Sequence, residues 1–281
     1  MDGGFLASQA GTAATALRWP GARDEAFRYT PLKALAARAL PVGDAQASTR
    51  AVDLAAQSLP GARSARLVFV HGAWREDLSD LARLPDGMSI EADRVAPPAD
   101  GQDAFEALNR LNARPVAIRV APGARIKEPL ELLFVAAETG VDVAWYARVG
   151  IELGADASLS IVEHHVADGD PAHVGNIVLD VRVGEGAALS HLRVADEGAR
   201  ESRFAATDVG VAATGRYDAT LLSLGGVLAR QAMRVALAGA GAATTLRGAT
   251  ALAGRQHGET HVEIRHQTGD TNSEVLWRAA A

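Results

Sequence analysis

The 281-residue chain contains no cysteine. That excludes disulfides, thiolate nucleophiles and cysteine-held metal sites. Lysine is nearly missing too: Lys33 and Lys127 are the only two among 28 basic residues. With 34 acidic residues the formal net charge is −6. Nucleic acid is therefore not an expected partner, because phosphate contacts need a basic face. No apolar run approaches the ~20 residues that span a bilayer. The start, Met1-Asp2-Gly3-Gly4, lacks the basic region of a signal peptide. The expectation is a soluble cytoplasmic protein with no membrane partner. Phosphate-cradling loops are also missing. Gly225-Gly226 lacks the spaced glycines and the lysine, and Gly239-Ala240-Gly241 precedes a β-like segment rather than a helix. No glycine-x-serine-x-glycine elbow occurs.

What is present is a hydrophobic content of 48%, enough for a core in a chain of this length. Residues 1–112 read as a small helical or mixed region. Phe5 to Leu17 is alanine-rich, and Thr30-Pro31 reads as a cap followed by proline at the first helical position. Leu32, Leu35, Ala36 and Leu40 then supply an apolar face. A further helix is expected over Gln46 to Ser58, and a linker at Ala96-Pro97-Pro98 through Asp100-Gly101. Leu67 to Val70 reads as a short buried strand with a turn at His71-Gly72. Asp103 to Asn112 reads as a helix with Phe105 and Leu108 facing inward, stopped by Pro115.

Residues 113–281 read as all β. Ile177, Leu179, Val181 and Val183 alternate strictly, as do Val235 with Leu237 and Val262 with Ile264. A Gly-Ala turn recurs at Gly123, Gly154 and Gly186, 31 and 32 residues apart, and its next clear copy, Gly241, lies 55 residues further on. Recurrent small corners suit a stacked β-solenoid. The broken period leaves a β-sandwich open.

Histidine is the one residue type that invites a metal. His257, Glu259, His261 and Glu263 share one face of a strand by their even spacing, and His257 with His261 would anchor a zinc or iron site. The competing and preferred reading is an ordinary solvated face opposite Val262 and Ile264. His164 and His165 are adjacent and so point to opposite faces of a strand, and His173 lies in a Gly/Asp/Pro-bounded loop. Asp24-Glu25 and Asp196-Glu197 read as surface charge. Trp145, Tyr146, Tyr217 and Trp277 are scattered as packing residues would be, which weakens a carbohydrate-binding reading.

Longer strings point to a family. Arg23 to Leu32 resembles an entry segment of the SufB/SufD family of iron–sulfur cluster assembly scaffolds, with Phe27 in place of a tryptophan. Leu67 to Gly72 is similar to its next marker, with His71 where asparagine is common, and Phe105 to Asn109 to the one after. In the β half, Pro129–Phe134, Ala155–Val166, Asn176–Arg193, Ser223–Arg230, Leu237–Gly248 and Gln256–His266 resemble family strings in the same order. The entry segment resembles the SufD branch more than the SufB branch. The resemblance implies a right-handed parallel β-helix (a β-solenoid) preceded by a small α-helical region. It implies a non-catalytic scaffold pairing with SufB and with the SufC ATPase. It implies no tightly bound cofactor, and at most a transient iron–sulfur cluster on the complex. The family continues past the position of Trp277-Arg278, where its contact with SufC and a cysteine–histidine stretch lie. The chain is therefore expected to be SufD-like but cut short, and poorly soluble or oligomeric alone. A metal-dependent enzyme of β-helical or cupin-like fold, using His257 and His261, is the alternative.

Overall fold

The computed structural model describes residues 4–10, 17–21, 23–43, 65–92 and 103–281, with positions 53, 54 and 57 between them. The helix expected over 46–58 and the linker at 96–101 lie largely or wholly outside the described residues. Fifteen strands are described: β1 (Ala65–Val70), β2 (Ala73–Trp74), β3 (Met88–Ala92), β4 (Arg114–Val120), β5 (Leu130–Ala137), β6 (Ala144–Leu153), β7 (Ser158–Asp168), β8 (Val174–Val183), β9 (Ala188–Asp196), β10 (Ser202–Val211), β11 (Arg216–Ser223), β12 (Leu228–Leu237), β13 (Ala243–Ala251), β14 (His257–His266) and β15 (Asn272–Ala280). From β4 onward, successive strands alternate between two parallel sheets. Sheet A runs β14-β12-β10-β8-β6-β4-β3 and sheet B runs β15-β13-β11-β9-β7-β5-β1-β2. This is a flattened parallel β-helix of about six coils, β4/β5 through β14/β15. It resolves the choice left open by spacing in favour of the solenoid.

Alternation places every second side chain in the lumen, and parallel pairing stacks like positions into columns. One column is Ile151, Val181, Val209, Val235 and Ile264, one residue per coil. Its first four members are buried and Ile264 packs against them. Each buried aliphatic side chain contributes roughly 1.5–3 kcal/mol of transfer free energy. Trp145 lies over Gly175, where an added Cβ would sit 2.5 Å from the indole. Phe69 and Phe134 stack at 4.6 Å in sheet B.

The corner between sheets A and B explains the broken period. Gly123, Asp156, Gly186, Thr214, Gly241 and Asp270 all have positive φ. The amides of the first five each donate to a carbonyl at the corner of the next coil, at 2.7–3.0 Å. The copy missing from the sequence pattern is Thr214, 28 residues after Gly186 and 27 before Gly241, with φ of 54°. Glycine is replaced there by a β-branched residue, so composition hides a coil that geometry retains. Left-handed backbone costs an L-residue roughly 1–2 kcal/mol. Thr214→Gly is accordingly expected to raise stability by about 1 kcal/mol in urea unfolding, after the entropy cost of glycine. A destabilised variant would show that the threonine side chain outweighs the backbone strain.

The N-terminal region covers the outer face of sheet A. It comprises α1 (Phe5–Ala10), a 3₁₀ turn at Glu25–Phe27, α2 (Lys33–Ala36) and α3 (Ala104–Asn112). Asp103 caps α3, its Oδ1 accepting from the amides of Phe105 (2.9 Å) and Glu106 (3.1 Å). Phe5, Leu6, Phe27, Leu32, Leu35, Leu40, Phe105 and Leu108 bury against Tyr146, Val174, Phe204 and Leu228 of the sheet. The Phe105 and Phe204 rings stack at 3.9 Å.

Two local expectations need correction. The expected helix after Thr30-Pro31 is only one turn, and its cap position is Leu32. Thr30 is occupied elsewhere: its hydroxyl donates to Glu259 of β14. The helix over 103–112 is as expected, but Pro115 is not what stops it: the proline sits near the start of β4. The turn at His71-Gly72 is as expected, a two-residue hairpin between β1 and β2 with both residues at positive φ. Gly72 is required there, since a Cβ would meet the Tyr146 carbonyl oxygen at 2.1 Å. No helix among the described residues is long and apolar enough to cross a membrane.

Candidate functional site

The chemistry-bearing side chains gather inside the lumen, on sheet B and the facing part of sheet A. In sheet B the column Leu67, Leu132, Glu163, Arg193, Leu221, Gly248 and Trp277 changes from apolar to charged at its third and fourth rungs. The neighbouring column passes from Phe134 to His165, whose rings stack at 4.8 Å. A third passes from Ile161 to His191.

Glu163 is the hub and is fully buried. Its Oε1 accepts from Nε2 of His165 at 2.6 Å. Its Oε2 accepts from Nε2 of His191 at 2.7 Å and from Nε of Arg193 at 2.8 Å. Burial alone would push this carboxyl up. The Arg193 charge and the two imidazole donors outweigh it and hold Glu163 well below the usual carboxylate range. Burial pushes both His165 and His191 down, so the imidazoles are neutral. A carboxylate can only accept, so each Nε2 carries the proton. Nδ1 of His191 is then an acceptor, and the Tyr217 hydroxyl donates to it at 2.8 Å. Arg193 Nη2 also donates to Thr207 Oγ1 of sheet A at 2.8 Å, joining the two sheets across the lumen.

A second pair lies beside the first. Arg203 is ion-paired with Glu197, both buried. Burial, reinforced by the Glu197 charge, pushes the nearby Glu201 well above the usual range, so it holds its proton. A narrow cavity lined by Arg203, Ser223, Gln231, Thr250, Thr260 and Trp277 adjoins this pair. Each of these two buried guanidiniums thus faces a carboxyl partner, Arg193 with Glu163 and Arg203 with Glu197, as a low-dielectric interior requires. Several polar atoms in it, among them His165 Nδ1, Arg193 Nη1 and Gln231 Nε2, have no partner among the described residues.

The sequence-derived candidates fall elsewhere. His257, Glu259, His261 and Glu263 do share the outer face of β14, while Gly258, Thr260, Val262 and Ile264 alternate with them. They do not converge. Glu259 accepts from Thr30 and lies 3.7 Å from Arg230, Glu263 pairs with Arg265 at 2.6 Å, and His261 is exposed. No group of three or more His, Asp or Glu side chains among the described residues is placed to hold a metal ion. His164 and His165 do diverge, the first outward and the second into the lumen. His173 lies in the loop before β8, as expected, and is buried there: Nε2 bonds the Ala137 carbonyl at 3.0 Å and Nδ1 accepts from the Val143 amide. Asp196 is exposed as expected, but Glu197 is turned inward to Arg203. Trp145, Tyr146 and Tyr217 are buried packing residues.

The lumenal residues escaped composition-based reading, yet the pattern carried a signal. Leu159, Ile161, Glu163 and His165 keep one parity, as do Leu189, His191 and Arg193. A polar residue on the inward parity of a buried strand is itself inside.

These features define the class: a two-sheeted parallel β-solenoid with a helical cap and a polar block in its lumen. The family model for the SufBD core domain of the SUF iron–sulfur cluster assembly system matches residues 134–281, and the chain belongs to that family. It is 26% identical over 91% of its length to an iron–sulfur cluster assembly SufBD family protein of Synechocystis. It is 29% identical over 92% of its length to the iron–sulfur cluster assembly protein SufD of Escherichia coli. It spans 62% and 61% of those two relatives.

Proposed function

We propose that this chain is a non-catalytic, SufD-like scaffold subunit of cytoplasmic iron–sulfur cluster assembly, pairing with SufB and with the SufC ATPase. The observation that supports this most is the coincidence of the family match, 134–281, with the coils of the β-helix. The chemistry agrees. The buried acids, bases and histidines are engaged with one another inside the lumen, in the manner of a structural network rather than an open cleft. The iron–sulfur cluster is cargo of the complex on this reading, not a resident cofactor of the chain. Residues 1–112 carry the helical cap together with β1–β3, which extend the two sheets, and 113–281 form the rigid rod, whose backbone edges are suited to pairing with a partner coil.

Co-expression with SufB and a SufC-type ATPase, followed by size-exclusion chromatography, tests the assignment. A stoichiometric complex is expected, unchanged in the double variant His257→Ala/His261→Ala. If SufB and SufC assemble together while this chain elutes alone, the scaffold role fails.

A further inference from the structure

The outer face of sheet A carries a second buried charge cluster, under the helical cap and separate from the lumen. Arg234 Nη2 lies 2.7 Å from Glu106 Oε1, but the same guanidinium is bound by Asp208 at 2.5 and 2.8 Å. Arg148 is taken by Asp180 at 2.8 Å. Arg230 lies 3.9 Å over the Phe27 ring, donates to the Ala26 carbonyl at 2.7 Å, and stands 3.9 Å from Asp103 and 3.7 Å from Glu259. Thr30 closes the set on Glu259. Five carboxylates (Asp103, Glu106, Asp180, Asp208, Glu259) therefore face three guanidiniums (Arg148, Arg230, Arg234), and the charge of a fourth, Arg182, also reaches Asp180. Asp103 and Glu106 are both carried by the cap, and Glu106 is the one buried by its docking, at 3% exposure.

We propose that the N-terminal cap is a proton-controlled latch on sheet A: it seats fully when Glu106 is protonated and loosens when Glu106 ionises, freeing α3 and the 24–36 segment from Tyr146, Val174, Phe204 and Leu228. The surplus of negative charge supplies the physical reason. Once ionised, Glu106 must share a guanidinium already neutralised by Asp208, in a site closed to water. Burial, then the Asp103 charge, push Glu106 up to about 7, so the transition falls at neutral pH. Burial moves Asp180 in the same direction. The sign follows from linkage. A carboxyl raised in the docked state favours docking at low pH, and that preference is lost as pH rises from about 4.5 to about 7. Between pH 6 and pH 8 the open fraction should rise roughly tenfold.

Hydrogen exchange followed by mass spectrometry reads this directly on the whole chain. After correction for intrinsic exchange rates, peptides covering 24–36 and 104–112 should open roughly tenfold more at pH 8 than at pH 6. Lumenal peptides of β6 to β10 should not open more at pH 8 than at pH 6, since His165 and His191 favour opening only toward acid. Glu106→Gln should abolish the difference and keep the cap closed at both pH values. Equal protection of the wild-type cap at pH 6 and pH 8, or a pH dependence that survives E106Q, overturns the latch. Should E106Q fold poorly, carboxyl ¹³C titration of Glu106 in the wild-type chain decides. A midpoint near 7 supports the latch, and one in the ordinary range near 4.5 overturns it.

Discussion

Glu163→Ala is expected to destabilise the β-helix by about 3–5 kcal/mol, the largest single effect of any lumenal substitution. The variant leaves Arg193 charged in the interior and strips acceptors from His165 and His191 at once. Urea unfolding measures the loss. The double variant Glu163→Leu/Arg193→Met should recover most of it, because a buried pair can be replaced by packed apolar groups with little net cost. A loss below about 1 kcal/mol for the single variant would mean that Arg193 finds another partner. The network also makes the wild type sensitive to acid. Both imidazoles are depressed in the folded state, so they favour unfolding as pH falls below the unfolded histidine range, near 6.5. Glu163 adds to the loss below about 4.5.

Phe105→Ala should cost about 3–5 kcal/mol, but only at the cap. Phe105 stacks on Phe204 at 3.9 Å and also meets Phe27, Trp19 and Phe5, so it joins three segments of the cap to the sheet. Hydrogen exchange should show loss of protection in α1, the 24–36 segment and α3, with the coils of the solenoid unchanged. Uniform loss of protection through β6 to β12 would instead make the cap and solenoid one cooperative unit.

Much of this architecture is legible in the sequence, for reasons that can be named. Strict alternation at Ile177 to Val183 is dictated by a strand with one wall in the lumen. The turn at His71-Gly72 follows from backbone demands that few residues meet. The coil at Thr214 is illegible because its corner lacks the glycine that marks its neighbours, and tertiary stacking holds the backbone where local preference would not. The expected helix after Thr30 is shortened because the cap packs by long-range contacts to Glu259 and Arg230, which local propensity cannot register. The polar block is hidden for a different reason. Charged residues are read as solvent-facing by default, and only their parity with Leu159 and Leu189 betrays them.

The polar block has a consequence for how the chain finds its fold. Most lumenal columns, such as Ile151 through Ile264, would accept a neighbour displaced by a whole coil with little loss, because every rung is a similar aliphatic. Glu163 and Arg193 would not. Displacement by one coil would set Glu163 against Leu221 and strand both charges in hydrocarbon. In a stack of nearly interchangeable layers, this one layer carries an address, and mis-threaded arrangements are penalised at it before they can compete with the native order.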